Sequence, residues 1–234
     1  MVQRETRLPV DDNPLIVAFA RQLHASSGSV PAFAEALLAH IRTEPYHYTL
    51  SPQTLPKQNA VDTFWFDTRR GFCAHYAGAF VYAMRAAGIP ARLVGGYLGG
   101  EVNDMGGHLM VHQYDAHGWA EIWMQGRGWV RYDPTGAVAP ERIERGLAEA
   151  LSAEDRSALS LLASARLDSG SLAGQVLRLL DSLEHQRNLV VVGYDGNIQR
   201  RLMGDWFGEM SPERIGVIMV CLGALCFGSV ALFL

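Results

Sequence analysis

The chain has 234 residues, with 20 basic and 24 acidic side chains, a formal net charge of −4 and 49% hydrophobic residues. That composition supports a packed core and excludes a disordered chain. The basic residues form no run, which argues against nucleic acid as a partner.

Three cysteines, Cys73, Cys221 and Cys226, are too few and odd in number for a disulfide framework. No nucleotide or cofactor fingerprint is present, because Gly95-Gly96 and Gly99-Gly100 lack the strand–turn–helix setting such loops need.

In chain order, apolar residues recur at helical spacing over 13–26 (Leu15, Ile16, Phe19, Leu23) and again over 30–43 (Phe33, Leu37, Leu38, Ile41), predicting two amphipathic helices. Gly28 and Ser29 separate them, and Pro45 stops the second. Residues 46–60, rich in Tyr, Pro and Gln, read as an extended loop. A third helix is predicted over 72–87, with Gly88 placed for a left-handed C-cap and Pro90 preventing continuation.

The period then changes. Short Val- and aromatic-bearing runs at 91–98, 109–115, 118–124 and 129–132, punctuated by glycine, predict an antiparallel sheet. Residues 99–107 read as a connecting loop and 125–128 as a tight hairpin turn. Beyond Pro140, leucines at three- and four-residue spacing predict helices over 147–167 and 172–183 that pack on the domain or bridge it to a membrane.

The run from Ile215 to Leu234 carries no charge. As a helix it would span roughly 30 Å, about one hydrocarbon core, so a terminal transmembrane helix is expected, with Ser211 and Pro212 at its entry. The N-terminus has no apolar signal region. The chain is therefore expected to be a fragment of a larger membrane protein.

Three residues make a chemical constellation. Cys73 follows Arg69, Arg70 and Gly71 at the predicted start of a helix, where the dipole and unpaired N–H groups favour a thiolate. His117 lies at a strand edge and Asp133 ends the next strand. Each alone has an ordinary structural explanation: a buried small thiol, an exposed histidine, and a turn-capping aspartate. Together they form a nucleophile, a base and an orienting carboxylate. For His117 and Asp133 to share a sheet face, the hairpin loop between them must hold an odd number of residues. A three-residue loop, Gln125-Gly126-Arg127, meets this condition.

Other residues are weaker. Trp119 and Trp123 alternate with His117 and Glu121 on one face, either walling a cleft or packing as an aromatic face. Trp65 is a candidate second oxyanion donor beside the Cys73 N–H. His75 is predicted to point away from Cys73. His108 and His112 share parity but lack structural-zinc spacing, so no metal is expected. Glu101 and Asp104 read as a solvated loop.

Five ordered segments carry a resemblance. They are Arg70-Gly71-Phe72-Cys73, Ala86-Ala87-Gly88-Ile89-Pro90-Ala91-Arg92, Gly95-Gly96-Tyr97, His117-Gly118-Trp119-Ala120-Glu121-Ile122-Trp123, and Gly128-Trp129-Val130-Arg131-Tyr132-Asp133-Pro134-Thr135. In this order they resemble the transglutaminase-like superfamily, and most of all its bacterial membrane-bound, TgpA-type branch. The resemblance is strongest over 61–145 and looser through Gly193-Tyr194-Asp195. Gly118 departs from it, since Ala is commoner between the His and the Trp.

The resemblance implies an α+β, papain-like fold, with the nucleophile helix packed on an antiparallel sheet. Cys73 matches the nucleophile, His117 the base and Asp133 the orienting carboxylate. It further implies a catalytic domain over 1–145, a helical extension and membrane-proximal linker over 146–212, and a membrane helix over 213–234, with the domain on the periplasmic side of the inner membrane. The expected activity is acyl transfer from glutamine amides to amines, with protein, peptide or cell-envelope substrates and no cofactor. Amide hydrolysis by the same triad and a silent envelope-binding module are the competing expectations.

Overall fold

The computed structural model of the chain describes residues 2–10, 12–144, 147, 155, 171–192 and 212–233. They divide into two compact units, Met1–Leu177 and Arg178–Leu234.

The first unit opens with helices Pro14–Ser27 and Val30–Thr43. Gly28 turns between them at φ 70°, a conformation glycine reaches without a Cβ clash, and the Ser29 side chain accepts from the Ala32 N–H. The first helix is capped from a distant part of the chain. Asp62 accepts from the N–H groups of Leu15 and Ile16 at 2.9 and 2.8 Å, while Asn13 Oδ1 accepts from Val61 and Asp62. A carboxylate at that end satisfies orphan donors and complements the dipole.

The segment expected to be wholly loop contains a short strand. Strand β1, His47–Tyr48, pairs in parallel with β2, Arg70–Gly71. Between them a π-type turn, Thr63–Thr68, sinks Phe64 and Trp65 into the core. The next helix, Cys73–Ala86, buries Tyr76, Phe80 and Met84 and ends before Gly88 at φ 78°.

Strand β3, Ala91–Tyr97, follows. Strands β4, Glu101–Asn103, and β5, His108–Met110, then make a separate two-stranded hairpin. This corrects the expectation of a plain loop over 99–107 and a sheet strand over 109–115. Gln113–Asp115 forms a 3-10 turn instead, because Asp115 Oδ2 accepts from the His112 N–H at 2.9 Å, a local side-chain bond that competes with strand pairing.

Strand β6, Ala116–Met124, lies between β3 and β7, Gly128–Tyr132, in an antiparallel sheet of order β3-β6-β7. Met124 pairs with Gly128. The loop is therefore Gln125–Arg127, the odd count that the shared face requires, with Gly126 at φ 78°.

Along β6, Gly118, Ala120, Ile122 and Met124 are buried against the Cys73–Ala86 helix side of the sheet. The alternate residues His117, Trp119, Glu121 and Trp123 face the other way.

After β7 come the short helices Thr135–Val138 and Pro140–Glu144. The predicted 147–167 helix lies outside the described residues except for Leu147 and Asp155, as do 193–195, Ser211 and the expected domain boundary at 145/146. The later helix runs Leu172–Val192, longer than predicted.

The C-terminal segment is helical over Pro212–Phe233. Its side-chain surroundings are described only within 213–224. Among the described residues no helix is long and apolar enough to cross a membrane.

Candidate active site

Cys73 is the first residue of its helix, after Phe72 in extended conformation (φ −112°, ψ −178°). Close packing makes that position possible. A Cβ at Gly71 would lie 2.7 Å from His75 Cβ and 2.9 Å from Phe64 Cε2, so the chain entering the helix must carry glycine there. His75 turns back to pack its ring against Phe72 (centroids 4.4 Å) and Phe64 (5.6 Å). As expected, it is not among the residues lining the cavity.

His117 is brought to Cys73 by β6. The intervening contact is Gly118, whose Cβ position lies 3.9 Å from Ala74 Cα, so the first helical turn packs directly on the strand. On the other ring edge, His117 Nε2 lies 2.8 Å from Asp133 Oδ2. Nδ1 is thereby left for the thiol. It makes no hydrogen bond of strict geometry, yet the thiol and the imidazole lie close enough to shift each other's titration. Such bonds are often long in an unliganded site.

Asp133 serves two purposes. Oδ1 accepts from the Thr135 N–H at 3.2 Å, the turn cap expected of an Asp-Pro-Thr sequence. Oδ2 holds His117 and accepts from Arg131 Nη2 at 3.0 Å.

The electrostatics follow from this order. Burial pushes the Cys73 thiol up, but the neighbouring His117 ring and its charge, with the Gly118 and Ala74 backbone, outweigh it and hold the thiol below its usual value. Burial would lower His117, but the hydrogen bonds with Asp133 and Cys73 and their charges raise it to about 8. Burial would raise Asp133, but His117 and Arg131 keep it ionised, below its usual value. The three shifts together favour a thiolate–imidazolium pair oriented by a carboxylate.

Cys73 and His117 open onto a cavity of about 550 Å³. Its walls include Leu50, Phe72, Leu93 and Val94, with Tyr48, Gln113, Tyr114 and Arg142 as polar members. Trp65 does not reach it. That ring is fully buried, stacked on His40 (centroids 5.4 Å), with its Nε1 unpaired.

Trp119 does not line the cavity either. It stacks beside His117 (6.4 Å) with the Arg131 guanidinium 4.2 Å from its ring. Gly96, paired with His117 across β3–β6, leaves room for it, since a Cβ there would lie 2.8 Å from Trp119 Cη2. Trp123 packs on Trp129, over which Arg92 lies. Trp119 therefore packs beside the His117–Asp133 pair, whereas Trp123 and Trp129 pack together near the hairpin turn.

Tyr48, Arg131 and Arg142 were not singled out from the sequence. Arg131 shares strand parity with Asp133, a signal that was available. Tyr48 and Arg142 lie in elements too short to show a period.

A thiol at a helix start, beside an imidazole and an aspartate on adjacent strands, is the arrangement of a papain-like cysteine site. The chain belongs to the transglutaminase-like superfamily, whose core model matches residues 17–134, half of the chain and the span that contains all three residues.

It is 43% identical over 236 residues to the protein-glutamine gamma-glutamyltransferase of Pseudomonas aeruginosa, covering 99% of this chain and 35% of that protein. It is 35% identical over 107 residues to the uncharacterized protein YebA of Bacillus subtilis, covering 43% and 14%. The chain thus spans about a third or less of these curated relatives. Among solved structures, the periplasmic domain of TgpA from P. aeruginosa matches at 51% identity with a TM-score of 0.61, over 63% of this chain and 51% of that one. The same domain bound to ethylmercury matches with a TM-score of 0.59.

Proposed function

We propose that this chain is the catalytic part of a cysteine-dependent acyl transferase that moves the acyl group of a glutamine side chain onto a primary amine. The observation that carries the reading is the assembled Cys73–His117–Asp133 geometry on an open cavity. The family and the name of the P. aeruginosa relative support the choice of reaction.

In the proposed reaction the Cys73 thiolate attacks the carboxamide carbon. The tetrahedral intermediate collapses, its C–N bond breaks, and the departing ammonia takes the proton held on His117. A thioester remains. A primary amine then attacks that carbonyl and gives a proton to His117 as the C–S bond breaks, which restores the thiolate and leaves an isopeptide bond. The oxyanion needs preorganised donors. We propose the Tyr48 hydroxyl as a donor, in place of Trp65. Its oxygen faces the Cys73 N–H and Arg142, which leaves its own proton to donate to the oxyanion, while the Cys73 N–H is directed at Tyr48.

We further place the domain outside the cytoplasm, following the periplasmic TgpA domain, with protein, peptide or cell-envelope glutamines and amines as substrates. Attachment through the 213–234 segment rests on the charge-free run from Ile215 to Leu234 and on its helical length. Fractionating cells that express the protein with and without 213–234 tests this. Membrane association that survives the truncation would contradict attachment by that segment.

The reaction is tested by incubating the protein with a glutamine peptide and a labelled primary amine, beside Cys73→Ala. Label incorporation that Cys73→Ala abolishes supports transfer. Ammonia release without incorporation would make the enzyme an amidase with the same triad. Unchanged cellular function in Cys73→Ala would make it a binding module.

A further inference from the structure

The catalytic cavity contains an unspent positive charge. Arg142, on the short helix Pro140–Glu144, is 1% exposed and lines the cavity with Cys73 and His117. Its Nη2 donates to the Tyr114 carbonyl at 3.4 Å, and the guanidinium reaches the Tyr48 hydroxyl. Neither partner carries a formal charge opposite to its own. Among the described residues, Nε and Nη1 have no hydrogen-bond partner. Among the described residues, no Asp or Glu lines the cavity and no carboxylate pairs with Arg142.

An isolated buried guanidinium is unfavourable unless something compensates it. Arginines in folded domains are rarely this deeply buried without a paired anion. The two unused donors, Nε and Nη1, belong to one planar fork, which matches the two oxygens of a carboxylate. The surrounding walls, among them Leu50, Leu93 and Leu147, are apolar, and low polarity strengthens attraction to an anion that enters. Arg142 also lies beyond the matched family core, which ends at residue 134, so the site is assigned by this chain's own geometry.

We propose that Arg142 binds a carboxylate carried by the acyl donor, so that the enzyme selects anionic donors over neutral ones. The inference rests on the acyl-transfer reading of Cys73 and deepens it by naming a substrate class. The bound group is a free carboxylate near the reactive amide, whether a chain-terminal carboxylate or a neighbouring acidic side chain. Arg142 acts here in binding and takes no part in bond making.

Alkylation of Cys73 separates the two claims. Iodoacetate and iodoacetamide form the same C–S bond with loss of iodide and differ in the carboxylate. The ratio of their rates in the full chain is expected to fall about tenfold in Arg142→Gln and to be partly kept in Arg142→Lys. His117→Ala should slow both reagents. An equal ratio in wild type and Arg142→Gln would overturn the carboxylate site while leaving the thiolate reading intact. Failure of Cys73 to react with either reagent would instead overturn the acyl-transfer reading.

A thermal shift does not depend on the thiol. Sodium succinate should raise the melting temperature of wild type above that in sodium chloride of equal ionic strength, and not that of a folded Arg142→Gln protein. Equal shifts in both proteins would contradict the site. Glutamine peptides with a free or amidated C-terminus, and with Asp or Asn beside the glutamine, then locate the carboxylate. Arg142→Gln should erase the advantage of whichever acid is preferred, and indifference to all four peptides in wild type would count against the proposal.

Discussion

His117 Nε2 and Asp133 Oδ2 lie 2.8 Å apart, beyond the last paired residues of β6 and β7, Ala120 and Tyr132, which His117 precedes by three residues and Asp133 follows by one. Ending the ladder there frees Asp133 to turn its carboxylate across the strand while Oδ1 caps the following turn. The bond fixes which ring nitrogen faces the thiol.

Asp133→Asn should therefore keep the fold and lose the chemistry. The amide can accept the same proton but stabilises an imidazolium far less. Amine incorporation should fall by about 10²-fold or more, with the melting temperature changed little. Activity within a few-fold of wild type would show that His117 is oriented by other contacts.

Activity should follow a bell-shaped pH profile. The acid limb reports Cys73, below its usual value. The alkaline limb reports loss of the His117 proton at about 8, since a neutral imidazole cannot protonate the leaving ammonia. The linkage to stability has the same signs. Raised above its unfolded value of 6.5, His117 contributes stability that is complete below about 6.5 and lost as pH rises through about 8. Depressed in the folded state, Asp133 contributes stability present above its usual value and lost as pH falls through its folded one. An alkaline limb unmoved by Asp133→Asn would contradict the assignment to His117.

The two glycines that frame Cys73 should respond differently to alanine. At Gly71 the new Cβ meets His75 Cβ at 2.7 Å and Phe64 Cε2 at 2.9 Å. Neither atom is a free side-chain end, so the substitution should cost about 1–3 kcal/mol. At Gly118 the nearest atom is 3.8 Å away, ordinary contact, and alanine should leave activity within a few-fold. Denaturant midpoints and amine incorporation check both.

How much of this the sequence disclosed depends on how local each signal is. The Cys73 helix was legible because its alanine-rich run, Gly88 and Pro90 bound it. The odd hairpin loop followed from parity alone, and Gln125–Arg127 obeys it. The 109–115 segment misled because its apolar residues look like a strand, while the Asp115 cap winds its end. Tyr48 gave no sign, since two residues of parallel strand carry no period and its partners lie at Arg70–Gly71. Arg142 looked like one charge in a polar run. Only burial, a property of the fold, distinguishes it.

Trp65 illustrates the same limit. An indole near the nucleophile in sequence is a reasonable oxyanion donor, but the π-type turn buries it among Phe19, His40 and Tyr46. Trp65→Phe should lower stability by about 1–2 kcal/mol and leave activity per folded molecule unchanged. Tyr48→Phe should do the reverse, cutting the rate about 10²-fold with a small change in melting temperature. A catalytic loss in Trp65→Phe that stability does not explain would restore the indole as a donor.

The most direct measurement is the rate of Cys73 alkylation by iodoacetamide as a function of pH, in wild type and in His117→Ala. An apparent pKa well below about 8.5, the value of a free cysteine, that rises when His117 is removed is the result the thiolate–imidazolium pair predicts. A thiol that titrates at its ordinary value and is indifferent to His117 would contradict the pair, and with it the proposed acyl transfer.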